Sequence, residues 1–380
     1  MDKLLYISDY PLKTKSGHGN MIDMHHAILR EIFGSDNIVE CYGNCTEEKM
    51  DDKKRIYRFK ESSKLDKLFA VLAGNPPYLY YNFERKILKL IKTIDFKYLF
   101  IENSVSGNLL KKIKALRPDI VTVVYFPDIE QDLMGQQVKG AKLYRKISLT
   151  KMIDNEKITA KVSDKQIVLN NRDYDLFNQY YGYNPTCIAP VIVSNNEVLR
   201  AKQKHQVGEK LTLLFVGVDY YPNVQGVQWF IDKVIPLVKA DFVLQVVGYN
   251  MEKYKNEWQG QSDKVNVIGT VERLSNYYNS ASIVIAPIFQ GGGMKVKTAE
   301  ALSYGKIIIG TSESTFGYID TADDVVNRLF FSCDNEYDFA RVIDNLAQVD
   351  FNLCNDEIID WMKREYSYES NLAKIAELFV

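Results

Sequence analysis

The sequence predicts an α/β protein built from two doubly wound domains, and three observations carry that prediction. Short apolar runs alternate with amphipathic segments along nearly the whole chain, the rhythm of parallel βαβ units covered on both faces. The rhythm lapses once, in the polar stretch from Val191 to Glu209, and then restarts. At 380 residues the chain is longer than one core usually carries. The expected division is 1–190, a linker at 191–210, and a second domain at 211–360.

Leu4 to Ser8 reads as the first strand, followed by a loop with Ser16, Gly17, His18 and Gly19 and a helix from Asn20 to about Phe33. Ile38 to Tyr42, Tyr98 to Glu102 and the apolar Ile120 to Phe126 read as further strands, with helices at Phe83 to Ile94 and Asn108 to Leu116. Ile167 to Leu169 and Thr186 to Ala189 close the first half. In the second half, Leu211 to Val216, Phe242 to Val247 and Val265 to Ile268 read as strands ending in Gly217, Gly248 and Gly269. Helices are expected at Val224 to Val238 and Arg273 to Asn279. Glycine or proline at each strand's C-terminal end marks the edge where α/β sheets keep their ligands.

The densest chemistry lies between Ile285 and Thr311, IAPIFQGGGMKVKTAEALSYGKIIIGT. A buried strand (Ser282 to Pro287) leads into Gly291, Gly292 and Gly293, then a helix from near Lys295 and a second apolar strand (Lys306 to Gly310). Glycines let the backbone approach a ligand, and a helix start presents unpaired N–H groups and a positive dipole end, which suits a phosphate or diphosphate. Lys295 and Lys297 add positive charge there. Glu300, three residues after Lys297, shares its helical face and can accept hydrogen bonds from sugar hydroxyls. The glycine run alone leaves an ordinary loop open; the strand, basic helix start and second strand around it favour a ligand site.

Hydrophobic residues make up 46% and charged residues 26%, and the formal net charge is -1. That is the composition of a soluble globular protein with no global field for nucleic acid. The five cysteines, Cys41, Cys45, Cys187, Cys333 and Cys354, are scattered and odd in number, as for buried thiols in a reducing cytosol. The N-terminal MDKLLYISDYP is broken by Asp9 and Pro11 too soon for a signal peptide, and no apolar run reaches membrane-spanning length. A cytoplasmic protein is expected.

The second half resembles the donor-binding domain of GT-B glycosyltransferases, in particular glycosyltransferase family 4, the glycosyltransferases group 1. FVGVDYYPNVQGVQWFIDKVIP is similar to the opening of that domain, and IGTVERLSNYYNSASIVIAPIFQGGGMKVKTAEALSYGKIIIGT to its donor-site signature. The tail, REYSYESNLAKIAELF, resembles the family's closing helix. The similarity is strong from Leu211 to Thr311 and rests on rhythm and scattered residues before that. It implies a GT-B architecture, two Rossmann-like domains facing across a cleft, with a C-terminal helix at 361–380 packing back on the N-terminal domain. It implies an acceptor-binding first domain, a nucleotide-sugar-binding second domain, and transfer with retention of configuration. The expected donor is a nucleotide-diphosphate sugar, preferably a UDP-sugar, used as co-substrate with no further cofactor; the acceptor is a glycan of a cell-surface polysaccharide or glycoprotein.

Residue by residue, the resemblance places Glu300 at the nucleotide ribose and Gly291, Gly292, Gly293, Met294 and Lys295 beside the sugar and phosphates, with Val296 and Lys297 following. Gly17 and Gly19 take the place of an N-terminal glycine loop over the diphosphate. Val271 lies where backbone meets the base, and Gly217, Asn223 and Gly248 border the donor at the strand ends.

The chain departs from the family's pattern in three places. Gly292 stands where the first of two glutamates eight apart often sits. The usual Arg and Lys after the first C-terminal strand are absent from GVDYYPNVQG, which leaves Lys295 and Lys297 to stabilise the leaving diphosphate. Pro127 stands where a histidine often falls, leaving Asp128 and Glu130 as the candidates for acceptor orientation or base work.

His18 in the glycine loop is open between ligand contact and solvent, and His25 and His26 read as packing or surface residues. No Asp-x-Asp lies in a metal-binding context, so metal independence is expected, and Glu156 reads as structural. The tract from Lys139 to Lys165 has eight basic and three acidic residues; a membrane-leaning helix and a solvated one are both open. Trp229 and Trp361 read as core or docking residues. Two alternatives to transfer are a catalytically silent partner subunit of another transferase, and a nucleotide-sugar epimerase.

Overall fold

A computed structural model of the chain describes residues 3–12, 17–51, 53–60, 63–77, 81–138, 142–191, 203–290, 294–318, 324 and 326–380. The chain divides into two compact units, Met1–Ile192 with Asn371–Val380, and Val193–Ser370.

The first unit holds strands β1 (Leu4–Ser8), β2 (Ile38–Cys45), β3 (Lys49–Asp51), β4 (Ile56–Lys60), β5 (Tyr98–Ile101), β6 (Val121–Phe126), β7 (Lys165–Val168) and β8 (Cys187–Ile188). Its helices are α1 (Gly17–Phe33), α2 (Lys64–Leu72), α3 (Tyr81–Leu90), α4 (Gly107–Leu116), α5 (Glu130–Val138), α6 (Leu143–Val162) and α7 (Asn171–Tyr181). The sheet order is β3-β4-β2-β1-β5-β6-β7-β8, parallel except that β3 runs antiparallel to β4. Because side chains alternate along a strand, Leu5, Ile7, Leu99, Ile101 and Val124 point to one face and cluster with Ile87, Leu109, Ile113, Ala160 and Phe177. Tyr6, Phe100 and Tyr125 point to the other face and meet His25 and His26 of α1. Each large side chain removed from water contributes about 1.5–3 kcal/mol, so the two apolar faces fix the strand register.

The second unit holds β9 (Lys204–His205), β10 (Leu211–Val216), β11 (Phe242–Val247), β12 (Val265–Gly269), β13 (Ile283–Ala286), β14 (Ile307–Gly310), β15 (Phe330–Ser332) and β16 (Phe351–Asn352). Its helices are α8 (Tyr221–Trp229), α9 (Lys255–Gln261), α10 (Ser275–Ser280), α11 (Val296–Ser303), α12 (Ser312–Thr315), α13 (Glu336–Leu346) and α14 (Asp356–Tyr366); α15 (Tyr368–Ala376) follows. The main sheet is parallel, in the order β12-β11-β10-β13-β14-β15. The strand order reverses between β10 and β13, and a doubly wound sheet opens its crevice at that point, outside the C-terminal ends of the strands.

Several expected elements differ. α1 begins at Gly17, so Gly17 and Gly19 lie in a first helical turn and not in a loop ahead of it. The β3–β4 edge hairpin is not signalled, because β3 has three residues and β4 five, too short an alternation to stand out at a half-exposed sheet edge. The helix expected to Val238 is α-helical only to Trp229, then widens into a π turn at Phe230–Val234 and tightens at Ile235–Leu237, where Pro236 lacks the N–H to continue. The tail is two helices and not one, because Ser367 is extended (φ -75, ψ 164); Trp361 stays buried against Tyr366 in the second unit. The chain rejoins the first unit at Asn371, where the Tyr98 hydroxyl donates to the Phe379 carbonyl at 2.9 Å.

Candidate active site

In the second unit the ends of β10, β11 and β12 are drawn together by backbone. Gly217 N–H donates to Val247 O at 2.9 Å and Gly248 N–H to Gly269 O at 2.8 Å. Gly248 has φ +147, and a Cβ there would lie 1.9 Å from Gly217 O, so no other residue fits. Across the reversal point, a Cβ at Gly226 would lie 2.0 Å from Pro287 O, which brings α8 against the segment after β13. Sequence and sheet topology thus place the start of α8 and the start of α11 at one crevice.

Asn223, in the first turn of α8, is 7% exposed. Its Nδ2 donates to Val218 O at 2.8 Å, and its Oδ1 accepts a hydrogen bond from Lys297 Nζ. The Lys297 ammonium also lies 5.0 Å from the Phe215 ring centroid. Burial, and then the neighbouring Lys295, push Lys297 down to about 7, against the pull of Glu300. Lys297 is therefore a cation held on the point of losing its proton, which an arriving diphosphate would secure.

Lys295 precedes α11 in an extended conformation. Its Nζ donates to Glu313 Oε1 at 2.7 Å and its carbonyl accepts from Tyr318 OH at 3.0 Å. Its charge is thus already shared with a carboxylate, whereas Lys297 has a neutral amide partner. Val296 and Lys297 open the helix, where first-turn N–H groups have no intrahelical acceptor. Met294, just ahead of the helix, is buried. Glu300 accepts from Tyr278 OH at 3.2 Å; burial raises its carboxyl, opposed by that hydrogen bond and by Lys297. Tyr278 stacks on Tyr304 at 4.7 Å. Val271 is half-buried just past β12, where Glu252 accepts from the Thr270 N–H at 3.1 Å. Gly291, Gly292 and Gly293 lie outside the described residues.

In the first unit the strand order reverses between β1 and β5. There Asn103 Nδ2 donates to Asp9 Oδ2 at 3.0 Å and Asn44 Nδ2 to Asp9 O at 2.8 Å. Asp128 and Glu130 stand one strand away, after β6. Burial, then Glu156 and Asp128, push Glu130 up to about 8, and its Oε2 is buried without a hydrogen-bond partner among the described residues. Glu156, fully buried on α6, accepts from the N–H groups of Glu130 (2.7 Å) and Gln131 (3.0 Å), from Ser104 (3.1 Å) and from Tyr181. It caps α5 and fixes where Glu130 sits.

His25 and His26 are both buried: His25 Nδ1 lies 2.9 Å from Glu102 Oε2, and His26 Nε2 2.9 Å from Glu40 Oε1. Burial pushes Glu40 up, but His26, Arg30 and Tyr42 outweigh it and hold Glu40 at about 2. Sequence reasoning missed Asp9, Asn103, Tyr278 and Glu313; Asp9, Asn103 and Glu313 follow the expected strands β1, β5 and β14, while Tyr278 lies within α10 ahead of β13. Among the described residues no three His, Cys, Asp or Glu side chains gather as metal ligands. None of the described helices is long and apolar enough to cross a membrane.

Residues 210–348 match the family described as glycosyl transferases group 1. A 116-residue stretch is 28% identical to an uncharacterized 44.6 kDa protein in the cps region of Klebsiella pneumoniae, covering 28% of this chain and 30% of that protein. The chain thus aligns with under a third of the curated relative's length. The fold is similar to the lipopolysaccharide outer core galactosyltransferase WaaB, with TM-score 0.69, 12% identity and 99% of each chain covered. It is also similar to Anabaena HepE in complex with UDP and glucose, with TM-score 0.67, 12% identity and coverage of 100% of this chain and 99% of that one. Sucrose-phosphate synthase from Thermosynechococcus elongatus matches at TM-score 0.64 and 12% identity, over 99% and 98% of the two chains. Residues 210–348 therefore match a glycosyl transferases group 1 domain, and the fold of the chain is the GT-B fold of the glycosyltransferases.

Proposed function

We propose that the chain is a retaining glycosyltransferase that moves a sugar from a nucleotide-diphosphate sugar, a UDP-sugar in preference, to a glycan acceptor in cell-surface polysaccharide biosynthesis. The observation that carries this is the cluster of Lys297, Asn223 and Glu300 at the strand-order reversal of the group 1 domain. Two likenesses support the finer assignment: HepE is recorded with UDP and with UDP-glucose, and the Klebsiella relative comes from a cps region.

In this reading Lys297 meets the diphosphate as an ammonium. Glu300, oriented by Tyr278, accepts hydrogen bonds from the ribose hydroxyls, and Val271 borders the base. The bond between the sugar's anomeric carbon and the diphosphate breaks with its electron pair leaving on the diphosphate oxygen, where Lys297 and the first-turn amides of α11 stabilise the charge. The acceptor oxygen forms the new bond on the same face. Its proton passes to the leaving phosphate oxygen. In the first unit Glu130 keeps its proton until about pH 8, so towards an acceptor bound there it is a hydrogen-bond donor and not a base. The first unit takes the acceptor and the second the donor, with no metal. The place of work is the cytoplasm, with peripheral contact at the membrane's inner face.

A second reading, a catalytically silent partner subunit, draws on Gly292 in place of a carboxylate and on the Lys295–Glu313 ion pair that occupies a second cation. Incubating the purified chain with UDP-sugars and separating the products distinguishes the two. Release of UDP or transfer by the chain alone supports the enzyme; binding without turnover supports the silent subunit; no binding of any UDP-, GDP- or ADP-sugar contradicts both.

A further inference from the structure

Helix α8 carries a second surface that the donor site does not use. Asn223 faces the crevice, whereas Tyr221, Val224, Gln225, Gln228 and Trp229 recur at three- and four-residue spacing and form a stripe on the opposite side of the helix. Strands β10, β11 and β12 are neighbours in the sheet, so right-handed crossovers put α8 and α9 on the same face. Between the α8 stripe and Tyr254, Glu257 and Trp258 at the start of α9 runs a groove of about 420 Å³. The π turn at Phe230–Val234 brings Asp232 into its lining; such turns recur at functional sites.

The rings of the groove are fixed by their neighbours. Tyr254 stacks on Trp258 with centroids 4.6 Å apart and planes 11° from parallel. The Tyr254 hydroxyl donates to Asp219 Oδ1 at 3.0 Å, and Trp258 Nε1 donates to Gln228 Oε1 at 2.7 Å. Gln228 Nε2 donates in turn to Asp232 Oδ1 and to Gln261 Oε1, both at 2.9 Å. Trp229 meets Phe289 at 4.7 Å and Phe339 at 5.5 Å, both edge-on. Tyr221, two residues before Asn223, is 65% exposed and stands where the groove meets the crevice. Rings held in this way lose little freedom when a ligand settles on them.

Beside the rings stand Gln225, Asp232 and Glu257, exposed planar groups that can each take two neighbouring hydroxyls. A sugar ring offers an apolar C–H face together with hydroxyls at its edge, so it matches both kinds of surface at once. We propose that the groove between α8 and α9 binds a run of neutral sugar units and so holds a glycan outside the donor crevice. Two carboxylates against one lysine, Lys233, oppose an anionic polymer. The core of a protein interface is depleted in charge, and a protein partner would bury both carboxylates, which sugar hydroxyls satisfy as donors. A second copy of the chain would set those carboxylates against themselves. The inference rests on the reading that the acceptor is a glycan, yet glycan binding is read without donor, so it fails or holds separately from the donor site.

The test is an array of neutral gluco-, galacto- and manno-oligosaccharides beside uronic-acid oligosaccharides, probed with the full chain and with Tyr221→Ala and Glu257→Ala. Both positions are exposed, and matched thermal melts check that the fold survives. The wild type should retain oligosaccharides of the neutral series, and each variant should bind them at least about tenfold more weakly while binding UDP-sugars as the wild type does. No retention of a neutral oligosaccharide, tighter retention of the uronic-acid series, or variants that bind as well as the wild type overturns the proposal. A wild type that retains none but dimerises, with Tyr221→Ala monomeric, overturns it in favour of a self-association face.

Discussion

Asn223 holds Lys297 by its amide oxygen while its amide nitrogen donates to the carbonyl of Val218 at 2.8 Å. One side chain on α8 thereby joins the end of β10 to the start of α11, across the point where the strand order reverses. The lysine's charge is held by a neutral group, which leaves it available to an anion.

Asn223→Leu removes the acceptor without changing the side chain's size much. The enclosed ammonium then lacks a partner, so denaturant unfolding should show a loss of about 1–2 kcal/mol. UDP-sugar affinity should fall as well, because Lys297 loses its proton more readily. Unchanged stability and affinity would show that the contact is incidental.

Donor affinity should depend on pH through Lys297. Its value in the free protein is about 7, and a bound diphosphate raises it, so binding takes up a proton above that point. Affinity should be full below pH 7 and fall above it, by up to about tenfold per pH unit until the bound-state value is reached. Calorimetry in buffers of different ionisation enthalpy should show the proton uptake at pH 8.

Glu130 gives a stability prediction of the opposite kind. Its folded value of about 8 lies above the ordinary carboxyl value of 4.5. The folded form therefore holds a proton that the unfolded chain releases, and this contribution is full below about pH 4.5 and lost as pH rises to about 8. Glu130→Gln keeps the shape without the charge. It should match the wild type at pH 5 and melt higher at pH 8.5.

Gly248→Ala sets a methyl 1.9 Å from Gly217 O at φ +147. A cost of at least about 3 kcal/mol is expected, because a strained φ and a backbone clash coincide. Donor binding should disappear together with folded protein on circular dichroism, which separates this variant from those that spare the fold.

The α/β rhythm was legible where strands are buried on both faces. Leu4–Ser8, Leu211–Val216 and Phe242–Val247 have the bounds that their apolar runs predict. It was not legible at the β3–β4 edge, where half the side chains face water, or after Trp229, where Pro236 redirects a helix whose apolar pattern runs on. At the site, Lys297 and Glu300 share one turn of spacing and could be found together. Partners distant in sequence, such as Tyr278 for Glu300 and Glu313 for Lys295, are supplied by the sheet order, which local pattern does not encode. Asp9 and Asn103 belong to the same class, since only the neighbouring placement of β1 and β5 brings them together.

The central claim is that Lys297 meets the donor's diphosphate, and calorimetric titration of UDP-sugars into the wild type and Lys297→Met tests it most directly. The account predicts that the wild type binds at least one UDP-sugar and that Lys297→Met, equally stable, binds it at least about tenfold more weakly, the loss of one charge-assisted contact to phosphate. Equal affinity of the two proteins for the same UDP-sugar would contradict it.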